Sequence, residues 1–277
     1  MNLNSRARKQ EKTRAEAKPR GSSKAKVSRD TVVSFLDKTL RTTEISDNSV
    51  NGLQVEGAEK VTKIGLAVDA SLEAYKLAAQ KGCQMVIAHH GIIWDGIKSV
   101  TGPIYRQIEF LIKNEISLYA SHLPLDLHPA LGNNVQIAKL LGLKNIQPFG
   151  VYKNGLHIGF EGYLTKAETL KSISDLVKKK IGGPVQSLPF GPQKIWRAAV
   201  ISGRGSSAIT EAIEKKIDLF ITGEPVHEHH HTALEGNINV IYGGHYHTEI
   251  PGLLALGEFL SKRLEVETIF LDVPTLV

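Results

Sequence analysis

The chain has 277 residues, of which 42% are apolar and 11 are histidines, and its formal net charge at pH 7 is +6. This length and composition are typical of one large or two modest globular domains. No apolar run approaches the roughly 20 residues that span a bilayer, no apolar signal region begins the chain, and Cys83 is the single cysteine. The sequence therefore predicts a cytoplasmic protein without a membrane span, an intrachain disulfide or a thiolate metal cluster.

The positive charge is concentrated at the N-terminus. Residues 1–28 contain nine lysines and arginines and two glutamates, a net charge of +7. Residues 29–277 contain 25 basic and 26 acidic side chains and are close to neutral. Because the N-terminal segment has almost no large apolar residues, we predict that residues 1–28 are a disordered basic tail. Charge runs of this kind are usually solvated extensions, and the alternative is a contact with nucleic acid.

From residue 29 onward, apolar runs alternate with helix-like stretches, which is typical of an α/β fold. Spacing of apolar residues and capping residues define the first group of elements. In chain order these are a helix over 29–41, a strand over 63–68, a helix between Ser71 and Gly82, a strand over 84–88, a helix over 102–115 and a strand over 116–120.

The chain after residue 150 is irregular at first and then repeats this order. The predicted elements are a hairpin within 156–165, a helix over roughly 167–180, a strand over 196–203, a helix over 206–217, a strand over 218–224, a strand that begins at 239, a helix around 253–263 and a strand over 266–273. We therefore divide the folded chain into two α/β halves, residues 29–150 and 151–277.

The two halves have similar patterns, which indicates an internal duplication. In this alignment His122 corresponds to His245, and Asp126 corresponds to Glu249. The duplication thus places a His-x-x-x-acid pair after an equivalent strand in each half. The aligned segments are 63–90 with 197–224, and 118–126 with 241–249.

Histidines and carboxylates follow several predicted strands, at the edge where ligands gather in open α/β sheets. Imidazole and carboxylate without thiolate favour Zn²⁺, Fe²⁺ or Mn²⁺. Adjacent residues of a strand point to opposite sides, so His89 and His90 are expected to bind two different ions, which carboxylates can bridge. The alternative is a set of polar residues without a ligand, but the repeated spacing favours metal. The group is His89, His90, His122, Asp126, His245 and Glu249.

Two other motifs suggest different chemistry. The segment "HEHHH", residues 227–231, matches the His-Glu-x-x-His pattern of zincins, which requires a helix that holds both histidines on one face. No long apolar helix follows from the sequence here, so we expect a mobile or supporting role instead. The turn "SGRGSS", residues 202–207, lies between a strand and a helix, where backbone N–H groups can bind phosphate. A plain tight turn is the favoured interpretation.

Several ordered motifs within residues 30–277 resemble the Nif-three-like family (NGG-interacting factor three), whose members are also named GTP cyclohydrolase I type 2 homologues. The resemblance implies two intertwined α/β halves with mixed β-sheets, a ring-shaped homohexamer, and a dinuclear metal centre that faces an internal cavity. The sequence departs from the family pattern where Ser49, Val50 and Asn51 separate Asn48 from Gly52. The motifs are "DNSVNGLQVEG", "AHHGIIW", "SHLPLDLHPALGNN", "TGE" and "GGHYHTE".

The resemblance also implies roles for individual residues. His122 would be a catalytic residue that moves protons without binding metal. Glu249 would bridge the ions, with Asp126 and His90 at one ion and His89 and His245 at the other. The implied ligands of two divalent Zn, Fe or Mn ions are His89, His90, Asp126, His245 and Glu249.

The function implied by the resemblance is metal-dependent hydrolysis of a nucleotide-like substrate, in the manner of GTP cyclohydrolase. The alternative is a non-catalytic protein that stores or delivers metal ions or regulates a partner. Hydrolysis is favoured because open sites of nitrogen and oxygen ligands activate water readily. These two functions differ in one observable property, the turnover of a nucleotide.

Overall fold

The structure, a computed structural model, describes residues 26–275. These residues form two mixed β-sheets, a two-stranded antiparallel sheet and flanking helices. Two 3-10 turns lie at Lys153–Gly155 and Ser206–Ala208. The other elements, in chain order, are β1 (Val27–Ser28), α1 (Arg29–Leu40), β2 (Gly52–Val55), β3 (Lys60–Val61), β4 (Lys63–Asp69), α2 (Leu72–Gln80), β5 (Met85–His90), α3 (Gly102–Lys113), β6 (Ser117–Ala120), α4 (Leu123–Asp126), α5 (Asn133–Leu140), β7 (Lys144–Val151), β8 (His157–Glu168), α6 (Leu170–Lys180), β9 (Gln186–Pro189), β10 (Ile195–Val200), α7 (Ile209–Glu214), β11 (Leu219–Thr222), α8 (His229–Glu235), β12 (Asn239–Tyr242), α9 (His245–Thr248), α10 (Ile250–Leu264) and β13 (Glu267–Phe270).

The sheets are intertwined along the chain. The five-stranded sheet has the order β13-β4-β5-β6-β2, in which β2 is antiparallel and the other strands are parallel. The six-stranded sheet has the order β7-β8-β10-β11-β12-β9, with β10, β11 and β12 parallel. Because β13 comes from the C-terminus and pairs with β4, the chain returns to its first sheet. The predicted α/β class with mixed sheets is confirmed.

Alternation along β5 determines which side chains each face of the first sheet buries. Met85 and Ile87 pack with apolar side chains of α1 and α10, whereas Val86 and Ala88 pack with those of α2 and α3. Full burial of one large apolar side chain stabilises a fold by about 1.5–3 kcal/mol. The two helical layers therefore fix the strand firmly and orient its last two residues, His89 and His90.

The strand registers follow the predicted duplication in part. Ile64 pairs with Met85, and Ala198 pairs with Leu219, in agreement with the predicted alignment. The third strand is shifted by one residue: Val86 pairs with Leu118, and the equivalent Phe220 pairs with Val240 instead of the predicted Ile241. The structural counterpart of His122 is accordingly Gly244, and each of these residues precedes a four-residue helix. The predicted equivalence of His122 with His245 is therefore wrong by one residue.

The structure differs from the sequence predictions at three other places. The basic tail lies outside the described residues up to residue 25. Val27–Ser28, at its predicted end, form a strand that pairs antiparallel with β3. Ser28 also caps α1 by accepting a hydrogen bond from Thr31 N–H. The segment predicted as a hairpin is the single strand β8, which pairs with both β7 and β10. The strand β7 extends across the predicted boundary after residue 150 and belongs to the second sheet.

Predicted helix ends agree well where capping residues define them. The Ser71 side chain accepts a hydrogen bond from Ala74 N–H at 3.2 Å and begins α2, and Gly82 follows that helix with φ +70°. Cys83 is buried and unpaired. Among residues 26–275, no helix combines the length and the apolar character needed to cross a bilayer.

Candidate metal centre

Strand ends of both sheets meet at one cluster of histidines and carboxylates. His89 and His90 are the last residues of β5. His122 follows β6, and Asp126 ends the short helix α4. From the other sheet, β12 leads into α9, which begins with His245, and Glu249 comes next. All six predicted site residues therefore lie together.

Glu249 occupies the centre of the cluster. Its carboxylate is 2% exposed, and Oε1 lies 3.1 Å from Nε2 of His245 and 3.5 Å from Nε2 of His89. The other oxygen, Oε2, lies 3.3 Å from Nε2 of His90. One carboxylate thus faces three imidazole nitrogens, an arrangement suited to bridging two ions.

The remaining contacts group the ligands differently from the predicted division. His89 Nε2 lies 3.5 Å from Asp126 Oδ2. His90 instead groups with His245 and Glu249, whose ligand atoms all lie within 4.8 Å of one another. A second group of potential ligands within the same distance is His89, His90 and His122, so the contacts place His90 in both groups.

The two adjacent histidines also converge, contrary to the expectation that they point apart. Their ring centroids are 4.8 Å apart, because each ring is anchored to a neighbouring strand and turned past the end of β5. Nδ1 of His89 donates to the Ser121 carbonyl, which follows β6, and Nδ1 of His90 donates to Asp69 at the end of β4, both at 2.9 Å.

The same anchoring recurs at the other two histidines of the cluster. Nδ1 of His122 lies 3.0 Å from both carboxylate oxygens of Asp47, and Nδ1 of His245 donates to Glu224 Oε1. With every Nδ1–H directed to an acceptor, Nε2 is the atom that each ring offers to a metal, which must displace any proton bound there. This is the tautomer that histidine ligands adopt in metal sites. The acceptors Asp47, Asp69 and Glu224 were missed as site residues, although all lie at strand ends or in the quoted motifs.

Buried polar atoms without partners support a bound cation. Among the described residues, Nε2 of His89, Nε2 of His245 and Oε2 of Glu249 are buried and make no hydrogen bond of regular geometry, although each lies 3.1–3.5 Å from a charged group of the cluster. A buried polar atom without a partner costs about 1–3 kcal/mol, and more when it is charged. Divalent transition metals bind imidazole and carboxylate together, so these residues fit such ions chemically.

The pKa shifts of the cluster in the protein without metal also favour the binding of a cation. Burial lowers the pKa of His89, but the Asp126 and Glu249 carboxylates outweigh it and raise that pKa well above its usual value. Burial likewise lowers the pKa of His245, while Glu249 and Glu224 raise it to about 9. Burial raises the pKa of Glu249, but the histidines hold it well below its usual range. The cluster therefore keeps its carboxylates ionised and attracts positive charge.

Asp126 is oriented by residues outside the cluster. Its Oδ1 accepts hydrogen bonds from Asn133 Nδ2 at 2.9 Å and from Ser202 Oγ at 3.0 Å, which leaves Oδ2 to face His89. The Asn133 side-chain oxygen in turn accepts from Gly252 N–H at 2.8 Å, which ties α5 to α10. Asp126 is thus fixed from both halves of the chain.

We expect the substitution Ser202→Ala to lower metal affinity about 10-fold, because loss of a hydrogen bond that orients a ligand costs roughly 10–100-fold in affinity. Titration of the metal-free protein with Zn²⁺ by calorimetry measures this change. The substitution Ser207→Ala is a matched control in the same turn, since Ser207 is exposed and lies away from Asp126. Equal affinities for both variants would contradict the role of Ser202.

The turn at residues 202–207 contacts the histidine–carboxylate cluster, and part of its backbone is not free to bind phosphate. Three of its backbone N–H groups already donate to side chains: Ser202 to Asn134, Gly203 to Thr248 and Gly205 to Thr222. Gly203, with φ +58°, lies directly against the cluster, because a Cβ added there would be 2.2 Å from Glu249 Oε1. The favoured interpretation as a tight turn agrees with these contacts.

The segment 227–231 lies apart from the cluster. His227 precedes α8, which begins at His229, so His227 and His231 do not share one helix. No group of potential ligands among the described residues includes this segment. The expectation that it is not a zincin site is consistent with this geometry.

An open cavity of about 500 Å³ gives access to the cluster. His90, His122, His245 and Glu249 contribute to its wall. Its other lining residues include Trp94, Asp95, Tyr152, Ile158 and Arg204. The cluster can therefore be reached by a molecule larger than water.

The fold and these side chains define a mixed α/β protein with a histidine–carboxylate site that could hold metal. The family described as Duf34/NIF3 (NGG1p interacting factor 3) matches residues 27–275. A protein from Archaeoglobus fulgidus named GTP cyclohydrolase 1 type 2 homolog is 45% identical over 244 residues, which cover 88% of this chain and 97% of that protein. A protein of the same name from Pyrococcus horikoshii is 46% identical over 248 residues, 89% and 98% of the two chains.

Solved structures agree with this assignment. TTHA1606 from Thermus thermophilus has a TM-score of 0.83 at 35% identity, covering 91% of this chain and 100% of that one. Reduced HcgD from Methanocaldococcus jannaschii has a TM-score of 0.79 at 30% identity, covering 90% and 99%. The chain belongs to the Duf34/NIF3 family, and the predicted resemblance is confirmed.

Proposed function

We propose that this protein is a metal-dependent hydrolase with two divalent transition-metal ions, acting on a nucleotide-like substrate. The observation that supports this most is the set of four histidines, each anchored through Nδ1, whose Nε2 atoms converge beside two carboxylates at an open cavity. Relatives named GTP cyclohydrolase 1 type 2 homolog support a nucleotide as the substrate class.

The ligands that this proposal assigns are divided by the contacts described above. His89 and Asp126 would hold one ion, His90 and His245 the other, and Glu249 both. When bound, the ions supply an activated water and a Lewis acid. Zn, Fe and Mn all suit this donor set.

His122 has a separate role in the proposal. Its Nδ1–H donates to Asp47, whose carboxylate is buried, and its backbone N–H donates to Asn51 Oδ1 at 2.7 Å. Burial raises the pKa of Asp47, but the hydrogen bond and charge of His122 outweigh it and lower that pKa, so Asp47 stays ionised. The ring is held with Nε2 free beside the cavity, where it can accept a proton from water and return it to a leaving group.

The substitution His122→Ala should reduce turnover by about 100- to 10,000-fold, the usual contribution of a general acid–base residue, while both ions are retained. Turnover is measured with GTP on protein loaded with Zn²⁺, Mn²⁺ or Fe²⁺, and metal content by elemental analysis. The substitution His128→Ala is a matched control, because His128 caps a nearby turn through Nδ1 and lies outside the cluster.

The outcomes separate the two functions. Unchanged turnover in the His122→Ala variant would refute the acid–base role. Loaded wild-type protein that turns over neither GTP nor other purine nucleotides, yet exchanges its ions readily, would support metal storage or delivery instead.

We also propose a homo-oligomer, a hexamer by the family resemblance. Four exposed apolar side chains lie between residues 97 and 112, and burial of these side chains against another copy would support self-association. Light scattering coupled to gel filtration measures the mass, which should be six times that of the chain. The exposed side chains are Ile97 (53%), Val100 (44%), Tyr105 (48%) and Ile112 (59%).

A further inference from the structure

We propose that Trp94 is a platform on which a planar heteroaromatic ring of the substrate stacks, so that the ring lies beside His122 and His90. This inference rests on the proposed function, since it assigns a substrate class and a specificity residue to the same site. The position of Trp94, the way its ring is held, and the charge at the His245 end of the cluster support it.

Trp94 forms part of the cavity wall next to the histidine cluster. Its ring centroid lies 5.1 Å from that of His122 and 6.1 Å from that of His90. The side chain is nevertheless 39% exposed. A large apolar surface left open beside a polar cluster is a feature of ligand sites, where apolar walls surround a few polar groups.

The ring is held in place and offers only apolar surface. Its Nε1–H donates to the Gly91 carbonyl at 2.9 Å, so the polar edge of the indole is already occupied. A β-bridge between Ser49 and Trp94, flanked by backbone hydrogen bonds between residues 48–50 and 93–95, fixes the main chain. Because the indole ring and its main chain are already fixed, the protein loses little conformational entropy when a ligand stacks here, which favours binding.

A cation lies at another end of the cluster. Arg204 lines the same cavity, its side chain is 79% exposed, and it pairs with Glu224 at 2.9 Å. Glu224 also accepts a hydrogen bond from His245 Nδ1, so Arg204 borders the His245 end of the cluster, whereas Trp94 lies beside His122 and His90. A ligand with an aromatic ring at Trp94 and an anionic group at Arg204 would span the histidines, and a nucleotide has both parts.

Fluorescence can test the stacking without any turnover. The chain has two tryptophans, and Trp196 is on β10, outside this cavity. In a Trp196→Phe variant, Trp94 is the single tryptophan and can be excited selectively over the seven tyrosines. We expect saturable quenching when metal-loaded protein is titrated with GTP or guanosine, and none with ribose 5-phosphate, which lacks the base.

Substitution measures how much the ring contributes. The Trp94→Leu variant should bind GTP about 10- to 100-fold more weakly by equilibrium dialysis, the range expected for one stacked base. The Trp94→Phe variant should retain most of the affinity, because it keeps an aromatic face. Metal content should be unchanged in both variants, and Trp196→Leu is the matched control.

The possible results distinguish failure of the stacking proposal from failure of the hydrolase proposal. Quenching by ribose 5-phosphate, or GTP affinity that is the same in the Trp94→Leu and wild-type proteins, would overturn the stacking proposal even if GTP is turned over. Base-dependent quenching without turnover would support stacking and refute the hydrolase. Loss of metal from the Trp94→Phe variant would show that Trp94 supports the fold, and would also overturn the proposal.

Discussion

Under the proposed function, the Glu249→Gln variant is expected to lose metal at both proposed positions. Glu249 is the carboxylate that faces His89, His90 and His245 together, and each of its oxygens lies within 3.5 Å of a histidine Nε2. Glutamine keeps the size of the side chain but removes the negative charge and one acceptor oxygen. Because even residues that only orient ligands contribute about 10–100-fold, we expect metal affinity to fall by more than about 100-fold.

The measurement is elemental analysis after reconstitution with Zn²⁺, followed by calorimetric titration. The Glu228→Gln variant is a matched control, since it makes the same chemical change within the competing segment 227–231, where Glu228 is exposed. If the Glu249→Gln protein keeps its metal affinity, or if the Glu228→Gln protein loses it, the metal site is not at the strand ends. Circular dichroism of both variants establishes that they are folded.

The sequence predicted the cluster because its residues obey a simple rule of α/β sheets. His89, His90 and His245 all follow apolar strands, and parallel strands end at a common edge where ligands gather. The buried strands themselves were recognisable from continuous apolar runs, and helix α2 from Ser71 and Gly82. Local pattern and local capping therefore sufficed for these elements.

Other features depend on contacts between distant parts of the chain. Convergence of His89 and His90 depends on their acceptors in neighbouring strands, which no periodicity within β5 encodes. The single strand β8 was mistaken for a hairpin because its partner β7 contains Pro148 and polar residues and lacks a strand pattern. The one-residue shift in the register of β12 likewise depends on how the strands pair. The composition of the chain does not reveal whether a connection before a helix is one residue longer or shorter.

The role of Gly203 illustrates this limit most clearly. From the sequence, Gly203 belonged to a segment interpreted as a plain tight turn, with phosphate binding as the alternative. In the structure its missing side chain makes room for the metal ligands, since an added Cβ would lie 2.2 Å from Glu249 Oε1 and 3.0 Å from His245 Nε2. These two neighbours and φ +58° together require glycine here.

The Gly203→Ala variant is therefore expected to bind metal at least about 100-fold more weakly than wild type, because Glu249 must move away from the other ligands. The matched control is Gly102→Ala. Gly102 has the same φ of +58° but no atom within 4 Å of the added Cβ. The Gly102→Ala variant therefore introduces backbone strain of about 1–3 kcal/mol without a steric clash. Calorimetric Zn²⁺ titration and thermal unfolding are measured for both variants.

A double variant separates steric displacement from general loss of stability. If the added methyl group collides with the carboxylate, Glu249→Ala should remove the collision, and the combined Gly203→Ala and Glu249→Ala protein should unfold at a higher temperature than additive effects predict. Additive destabilisation would mean that the two residues do not interact. Equal metal loss in the Gly102→Ala protein would mean that strain alone explains the result, and that the turn does not shape the site.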